Sequence, residues 1–400
     1  MGFVTGLRCV VCAEEAPAPV SSGTCPRCDG GSAVLEVEFD LERARAVLTP
    51  ETLAGRGANH WRYAELLPVE PDAAAFRWPV GWTPLVEAPR LASWVGLAHL
   101  RVKDDSRNPT ASFKDRASSV GVLHALQAGA TRVACASTGN AASSLAGFAA
   151  MAGLPATIFV PRSAPEPKLT QMLAYGAEVR RVRGSYDQAY ELCTAECAEH
   201  GWYDRNCAVN PYLVEGKKTC GLELGEQCAA DPPDWVAVSV GDGCTIAGIA
   251  KGLDEMHRLG ILPRVPRLLG VQAAGVAPVL EAFEGRALES SGATFADSID
   301  VPTPRNWRKA VDRVQRTEGR FVAVEDDEIG AAILALGGRA GVFAEPAAAT
   351  AVAGLRRAVA AGIVDPGERA VAVVTGSGLK DTRGVQSVVG APVEVEPLES

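Results

Sequence analysis

Lysine is the scarce residue of this chain: only 8 of its 39 basic residues are Lys, the rest being Arg. A Lys inside a motif is therefore less apt to stand there by chance. A basic excess is also missing. The formal net charge is −9, which leaves no cationic face to expect for nucleic acid or an anionic membrane. Long apolar runs are absent as well. The longest uncharged stretch, 133–161, is interrupted by Ser137, Asn140, Ser143, Ser144, Gly153 and Pro155, and reads as a buried helix between two buried strands. The opening MGFVTGLRCVVC has no basic-then-apolar signal pattern, and Gly6 stands where a myristoylation pattern needs Ser or Thr. We read the protein as cytoplasmic, with neither membrane nor nucleic acid as a partner. A disulfide scaffold is not expected either, because the 11 cysteines are spread over 400 residues. Cys193 and Cys197, four apart on a predicted helix, read as packing residues.

What is present begins with Cys9-Val-Val-Cys12, then twelve residues, then Cys25-Pro-Arg-Cys28. Two such knuckles place four thiolates around one Zn²⁺, and a segment this short has too little core to fold unaided. Four cysteine ligands leave no open position, so the expected role is structural. A ribbon of this kind also suits a nucleic-acid or protein contact, but Glu36, Glu38 and Asp40 follow it rather than a basic stripe.

Past residue 80, short β-branched runs alternate with helical patterns. The spacing predicts strands over 98–103, 131–136, 156–160, 178–182, 235–240, 267–272, 321–324 and 371–375. Helices are predicted over 114–128, 140–152, 186–199, 246–258 and 346–361. Regular alternation implies an α/β fold with largely parallel sheets covered on both faces.

Three loops at predicted strand-to-helix junctions carry chemistry. Asn108-Pro-Thr-Ala-Ser-Phe-Lys114-Asp-Arg116 opens a helix, and the positive end of the helix dipole discourages the charged form of a Lys placed there. Ser137-Thr138-Gly139-Asn140 offers hydroxyls and free helix amides to a carboxylate, although Asn140 or Thr138 would equally serve as a helix cap. Gly241-Asp242-Gly243-Cys244-Thr245 lets backbone amides approach a phosphate at a helix start. It is not a Walker loop, since no Gly-Lys-Ser/Thr closes it, and the dinucleotide G-x-G-x-x-G is absent.

In this order the motifs resemble the fold-type II pyridoxal-phosphate (PLP) enzymes, and most closely the threonine synthase family. Gly81-Trp-Thr-Pro-Leu85 matches the family's G-x-T-P-L, Asn108–Arg116 its cofactor-lysine segment, and Ser137–Asn140 its S-T-G-N loop. Glu215-Gly-Lys-Lys-Thr219 is similar to E-G-Q-K-T, Glu345-Pro346 to the late E-P turn, and Thr375–Asp381 to T-G-x-G-L-K-D. The resemblance covers residues 80 to 385, and some members also carry a front zinc ribbon.

The resemblance implies a division into a zinc ribbon (1–35), a connecting segment (36–80), a large PLP-binding lobe (81–115 with 226–390), a small lobe (116–225) and a tail (391–400). It implies that Lys114 carries PLP as a Schiff base and moves the Cα proton. Phe113, Asn140, Gly241, Asp242, Gly243, Cys244, Thr245 and Thr375 would bind the cofactor, with Asn140 on its phenolic oxygen and Thr375 facing the pyridine nitrogen. A neutral hydroxyl there suits elimination and replacement rather than transamination. Ser112, Ser137, Thr138, Gly139, Ala141 and Lys217 would meet a small amino-acid substrate, O-phosphohomoserine being the first expectation, in a homodimer.

The pattern departs at Leu213, where the family has an Arg that reads the substrate phosphate, and at Lys217, where it has Gln. Asp242 places a carboxylate beside a phosphate, which is tolerable only if it points away or accepts amide bonds. Leu213 keeps a sibling reading open: β-elimination or β-replacement by a serine/threonine dehydratase, a diaminopropionate lyase or a cysteate-synthase-like enzyme. A non-enzymatic regulator on the same fold is disfavoured by the joint presence of Lys114, Asn140 and Thr375.

Overall fold

The computed structural model describes residues 3–18, 23–28, 31, 34–71, 79–162, 164, 166–290 and 292–397. Residues 72–78 of the connecting segment and 398–400 of the tail lie outside these. Thirteen strands form three sheets among the described residues. The first is antiparallel: β1 (Val4–Cys9) lies between β2 (Glu15–Ala16) and β3 (Leu35–Phe39). The largest contains β4 (Leu85–Glu87) and β5 (His99–Asp104). The next four strands, β6 (Val133–Ala136), β7 (Ala156–Pro161), β8 (Glu178–Val182) and β9 (Tyr203–Asp204), make a parallel sheet in the order β8-β7-β6-β9. Finally β10 (Trp235–Ser239), β11 (Arg267–Ala273), β12 (Arg320–Val324) and β13 (Arg369–Val374) complete the large sheet in the order β12-β11-β10-β13-β5-β4. Only β4 runs antiparallel within it. Val133–Ala136 and Trp235–Ser239 are buried at every position, as strands covered on both faces must be.

Eight described helices have ten or more residues: α1 (Lys114–Gln127), α2 (Asn140–Ala152), α3 (Tyr186–His200), α4 (Tyr212–Gln227), α5 (Cys244–Arg258), α6 (Trp307–Arg316), α7 (Asp326–Ala335) and α8 (Pro346–Ala360). α4 packs against both α1 and α5 and joins the two main sheets. No helix of the described residues is long and apolar enough to cross a membrane. Residues 391–397 form neither helix nor strand.

Two buried ionic clusters hold this frame, and they absorb several motif residues. In the first, Arg116 Nε pairs with Asp105 at 2.6 Å, and Arg116 Nη1 pairs with Glu223 at 2.6 Å. Lys103 Nζ adds a contact to Glu223 at 2.8 Å, and the Thr83 hydroxyl donates to Asp105 at 2.7 Å. Gly81 lies so close that a Cβ would sit 2.3 Å from Glu223 Oε1, at a φ of +76°. The second cluster docks β3. Lys218 and Lys251 each reach Glu215 at 2.6 Å, and Lys218 Nζ lies 3.8 Å from the centre of the Phe39 ring. Lys251 and Lys309 donate to the carbonyls of Val37 and Leu35. Burial alone would raise the Glu36 carboxyl, but Arg313, Lys309 and Lys251 hold it down at about 2. Ahead of β3, the sulfurs of Cys9, Cys12, Cys25 and Cys28 all lie within 4.8 Å of one another. Cys193 and Cys197 pack with Ala189 and Phe159, as expected of small buried side chains.

Candidate active site

Four segments meet where the parallel strands end at their carboxyl edges, the usual location of a crevice in such sheets. β5 leads through 105–113 into α1, β6 through 137–139 into α2, β10 through 240–243 into α5, and β13 ends just before Thr375. Between them lies a cavity of about 450 Å³. Lys114, Ser137, Thr138, Gly139, Asn140, Ala141, Lys217, the whole loop Gly241–Thr245 and Thr375 line it. Ser112 and Phe113 sit behind that wall, fully buried.

α1, α2 and α5 all start at this cavity without a side-chain cap. The helix dipoles favour anions here, although in α1 the amides of Asp115 and Arg116 already donate to Ser112 O and Phe113 O at 3.2 Å. Neither Thr138 nor Asn140 caps α2: the cap position is Gly139, and Asn140 spends its amide on Glu345, at 2.8 and 3.1 Å from the two carboxylate oxygens. α5 begins at Cys244, two residues before the position its periodicity predicts, because Gly243 adopts a φ of +95°. A Cβ on Gly243 would meet Asn306 O at 2.9 Å, and one on Gly241 would meet Ile299 Cα at 3.0 Å. The two glycines thus let the backbone of Ile299 and Asn306 pack directly against the loop.

Lys114 opens α1 behind a loop pinned on both sides. Phe113 N donates to Thr375 O at 2.8 Å, Ser377 N to Ala111 O at 3.1 Å, and Thr110 N to the Asp115 carboxylate at 2.6 Å. Ala111 sits at a φ of +65°, a conformation non-glycine residues rarely adopt and one often found at functional sites. Burial, and then the neighbouring Lys217 charge, lower the Lys114 pKa, so its neutral amine is more accessible.

Asp242 lines the cavity with its carboxylate engaged by amide donors. Its carboxylate accepts from Arg305 N and Asn306 Nδ2, both at 2.6 Å, and so ties down 305–306. Lys217 reaches Cys207 at 3.0 Å and Cys244 at closer range, which puts its ammonium beside the Gly241–Thr245 loop. Leu213 is fully buried on α4, where a Cβ on Gly121 of α1 would touch it at 2.5 Å, and it is not part of the cavity wall.

Several lining residues carry no motif signal: Tyr186, Tyr190, Arg205, Cys207, Ser298 and Arg305. Arg305 stacks on Tyr190 at 4.3 Å, and buried Arg205 donates to Ser118 at 3.1 Å while its Nε has no hydrogen-bond partner among the described residues. Glu345, read from sequence only as part of a turn, is an acid here: burial above all pushes its carboxyl up to about 7. Lys380 donates to Ser143 at 2.8 Å beside an adjoining cavity of about 260 Å³ that shares Thr138, Gly139, Asn140, Ser298 and Glu345.

Residues 78–376 match the family described as pyridoxal-phosphate dependent enzyme. The chain is 37% identical over 395 residues to a threonine synthase of Methanosarcina acetivorans, covering 98% of this chain and 96% of that one. It is 37% identical over 342 residues to a threonine synthase of Mycobacterium bovis, covering 84% and 92%. In fold it is similar to the processed form of threonine deaminase isoform 2 from Solanum lycopersicum, with a TM-score of 0.67 at 24% identity over 76% of this chain and 86% of that one. A family match across most of the cavity-forming chain, together with relatives aligned nearly end to end, places this protein among the pyridoxal-phosphate-dependent enzymes, and within them in the threonine synthase family.

Proposed function

We propose that the protein eliminates or replaces an activated group, phosphate by first preference, on a small amino acid, as a threonine synthase does with O-phosphohomoserine. The observation that carries this reading is the convergence of three uncapped helix starts on one cavity around a lysine of lowered pKa. The residues fit PLP. Gly241, Gly243, Cys244 and Thr245 would take its phosphate on backbone amides, with the Asp242 carboxylate engaged by Arg305 N and Asn306 Nδ2, and Thr375 would face the ring nitrogen. When bound, PLP draws electrons from the substrate's Cα, so that a proton and a leaving group can depart.

Lys114 would hold the cofactor and then move the Cα proton, a task suited to an amine whose burial favours the neutral form. Ser137, Thr138, Gly139 and Ala141, with Ser112 behind them, would orient the substrate carboxylate at the start of α2. Asn140, fixed by Glu345, would set the cofactor's tilt. Lys217 would meet the substrate from beside the Gly241–Thr245 loop, a position its contact with Cys244 supports. The four N-terminal sulfurs fit one structural zinc: tetrahedral Zn–S bonds of about 2.3 Å imply sulfurs about 3.8 Å apart, and the pairs Cys9–Cys28 and Cys12–Cys25 lie at 3.6 Å. A homodimer in the cytoplasm remains part of the proposal.

Leu213, standing outside the cavity, favours a second reading: β-elimination or replacement on a substrate without a distal phosphate. Steady-state assays decide between them. Equimolar phosphate and threonine from O-phosphohomoserine support the first, whereas a 2-oxo acid and ammonia from serine or threonine, with O-phosphohomoserine inert, support the second.

A further inference from the structure

Two cysteines of the cavity wall come from different sheets. Cys207 lies just beyond β9 of the four-stranded sheet, and Cys244 opens α5 after β10, an inner strand of the six-stranded sheet. Both line the cavity, and one ammonium, that of Lys217, donates to both sulfurs. The shared ammonium holds the two sulfurs close together. Among the described residues no carboxylate pairs with Lys217, although its side chain is fully buried. That ammonium lies 3.0 Å from the Cys207 sulfur, where it favours a thiolate. The hydrogen bond from Cys244, and then the charges of Lys217 and Arg205, hold the Cys207 thiol well below its ordinary pKa despite burial. Cys244 is shifted the other way, chiefly by the same contact with Cys207. The cavity wall thus sets a thiolate beside a thiol, which is the pairing that thiol oxidation uses: a nucleophilic sulfur and a resolving one. Neither sulfur has a chemical part in the reaction proposed above.

We propose that Cys207 and Cys244 form an oxidation site, closed by hydrogen peroxide into a disulfide that ties the small sheet to the phosphate loop. The Cys207 thiolate attacks one peroxide oxygen, the O–O bond breaks, and hydroxide leaves a sulfenic acid. Cys244 sulfur then attacks the Cys207 sulfur and the S–O bond breaks. The Cys244 proton and one from solvent convert the departing hydroxides to water. The two sulfurs together give two electrons to the peroxide, and two waters result. The new bond, about 2.05 Å long, draws the start of α5 toward β9 and removes the thiolate from Lys217. Both effects disturb the cavity, and a thiol reductant reverses them.

The test treats the holoenzyme with graded hydrogen peroxide, blocks free thiols, and maps peptides without reduction. We expect a cross-linked peptide pair joining Cys207 to Cys244, an activity loss of about tenfold that dithiothreitol restores, and no such sensitivity in Cys207→Ser, judged against its own untreated rate. The map on wild-type protein stands even if that variant folds poorly. Three results overturn the proposal: Cys207 still free at doses that oxidise Cys9, Cys12, Cys25 and Cys28; Cys207 carried on to sulfonic acid without a cross-link; or a Cys207→Ser enzyme inactivated to the same extent as wild type. The cross-link readout does not depend on the substrate, so its failure is distinguishable from failure of the proposed reaction.

Discussion

Burial governs the behaviour of Glu345, which is 2% exposed with a carboxyl pKa raised to about 7. Its folded value lies above the ordinary 4.5, so between about pH 4.5 and 7 the folded protein keeps a proton that the unfolded chain has lost. The contribution of this group is therefore fully present below pH 4.5 and is lost as pH rises toward 7. Glu345→Gln removes the titration. Urea denaturation across this range should show the variant gaining on wild type as pH rises, by at most about 3 kcal/mol; parallel curves would contradict the raised pKa. The acid role of Glu345 was not legible in the sequence, because a Glu before Pro reads only as a turn. Arg205, Cys207 and Arg305 were missed for a related reason. They reach the cavity from segments without any short-range pattern, and only the sheet order brings them together. Lys114, Asn140 and the Gly241–Thr245 loop were legible because glycines, hydroxyls and a lone Lys at strand-to-helix junctions are constrained by backbone chemistry.

α1 holds its place through Arg116, whose charge is buried against Asp105 and Glu223. Removing one partner of such a pair leaves an uncompensated charge, so Glu223→Gln should cost about 3–5 kcal/mol in denaturant unfolding. The double variant Arg116→Met, Glu223→Leu strips buried Asp105 and Lys103 of these partners, so it should recover none of that loss. A single-variant cost under about 1 kcal/mol would show that the cluster carries little of the frame. The eight strands predicted lie within two residues of their positions, since β-branched runs mark buried strands regardless of context, whereas β1 to β4 and the two-residue β9 were not predicted. Nor was α4. Every residue from Tyr212 to Gly225 is buried, so the helix shows no polar face and no contrast of period 3.6, and its Lys and Glu pair internally instead of facing solvent.

Across the molecule, the N-terminal sheet is joined to the body through β3, by Lys218, Lys251 and Lys309. Elemental analysis should find one zinc per chain, and Cys25→Ser with Cys28→Ser should release it. That release should expose residues 4–39 to protease while the cavity still binds PLP; unchanged protease resistance in zinc-free protein would refute a structural metal. The central claim, that this cavity is a PLP site built on Lys114, is tested most directly by borohydride reduction of the holoenzyme and peptide mapping. The cavity offers two lysines, Lys114 and Lys217. Lys114 has the lowered pKa, whereas Lys217, despite burial, is raised by its two sulfur neighbours and stays an ammonium. The account predicts the cofactor's mass on the Lys114 peptide alone, and its disappearance in Lys114→Ala; label on Lys217, or none on either, would contradict it.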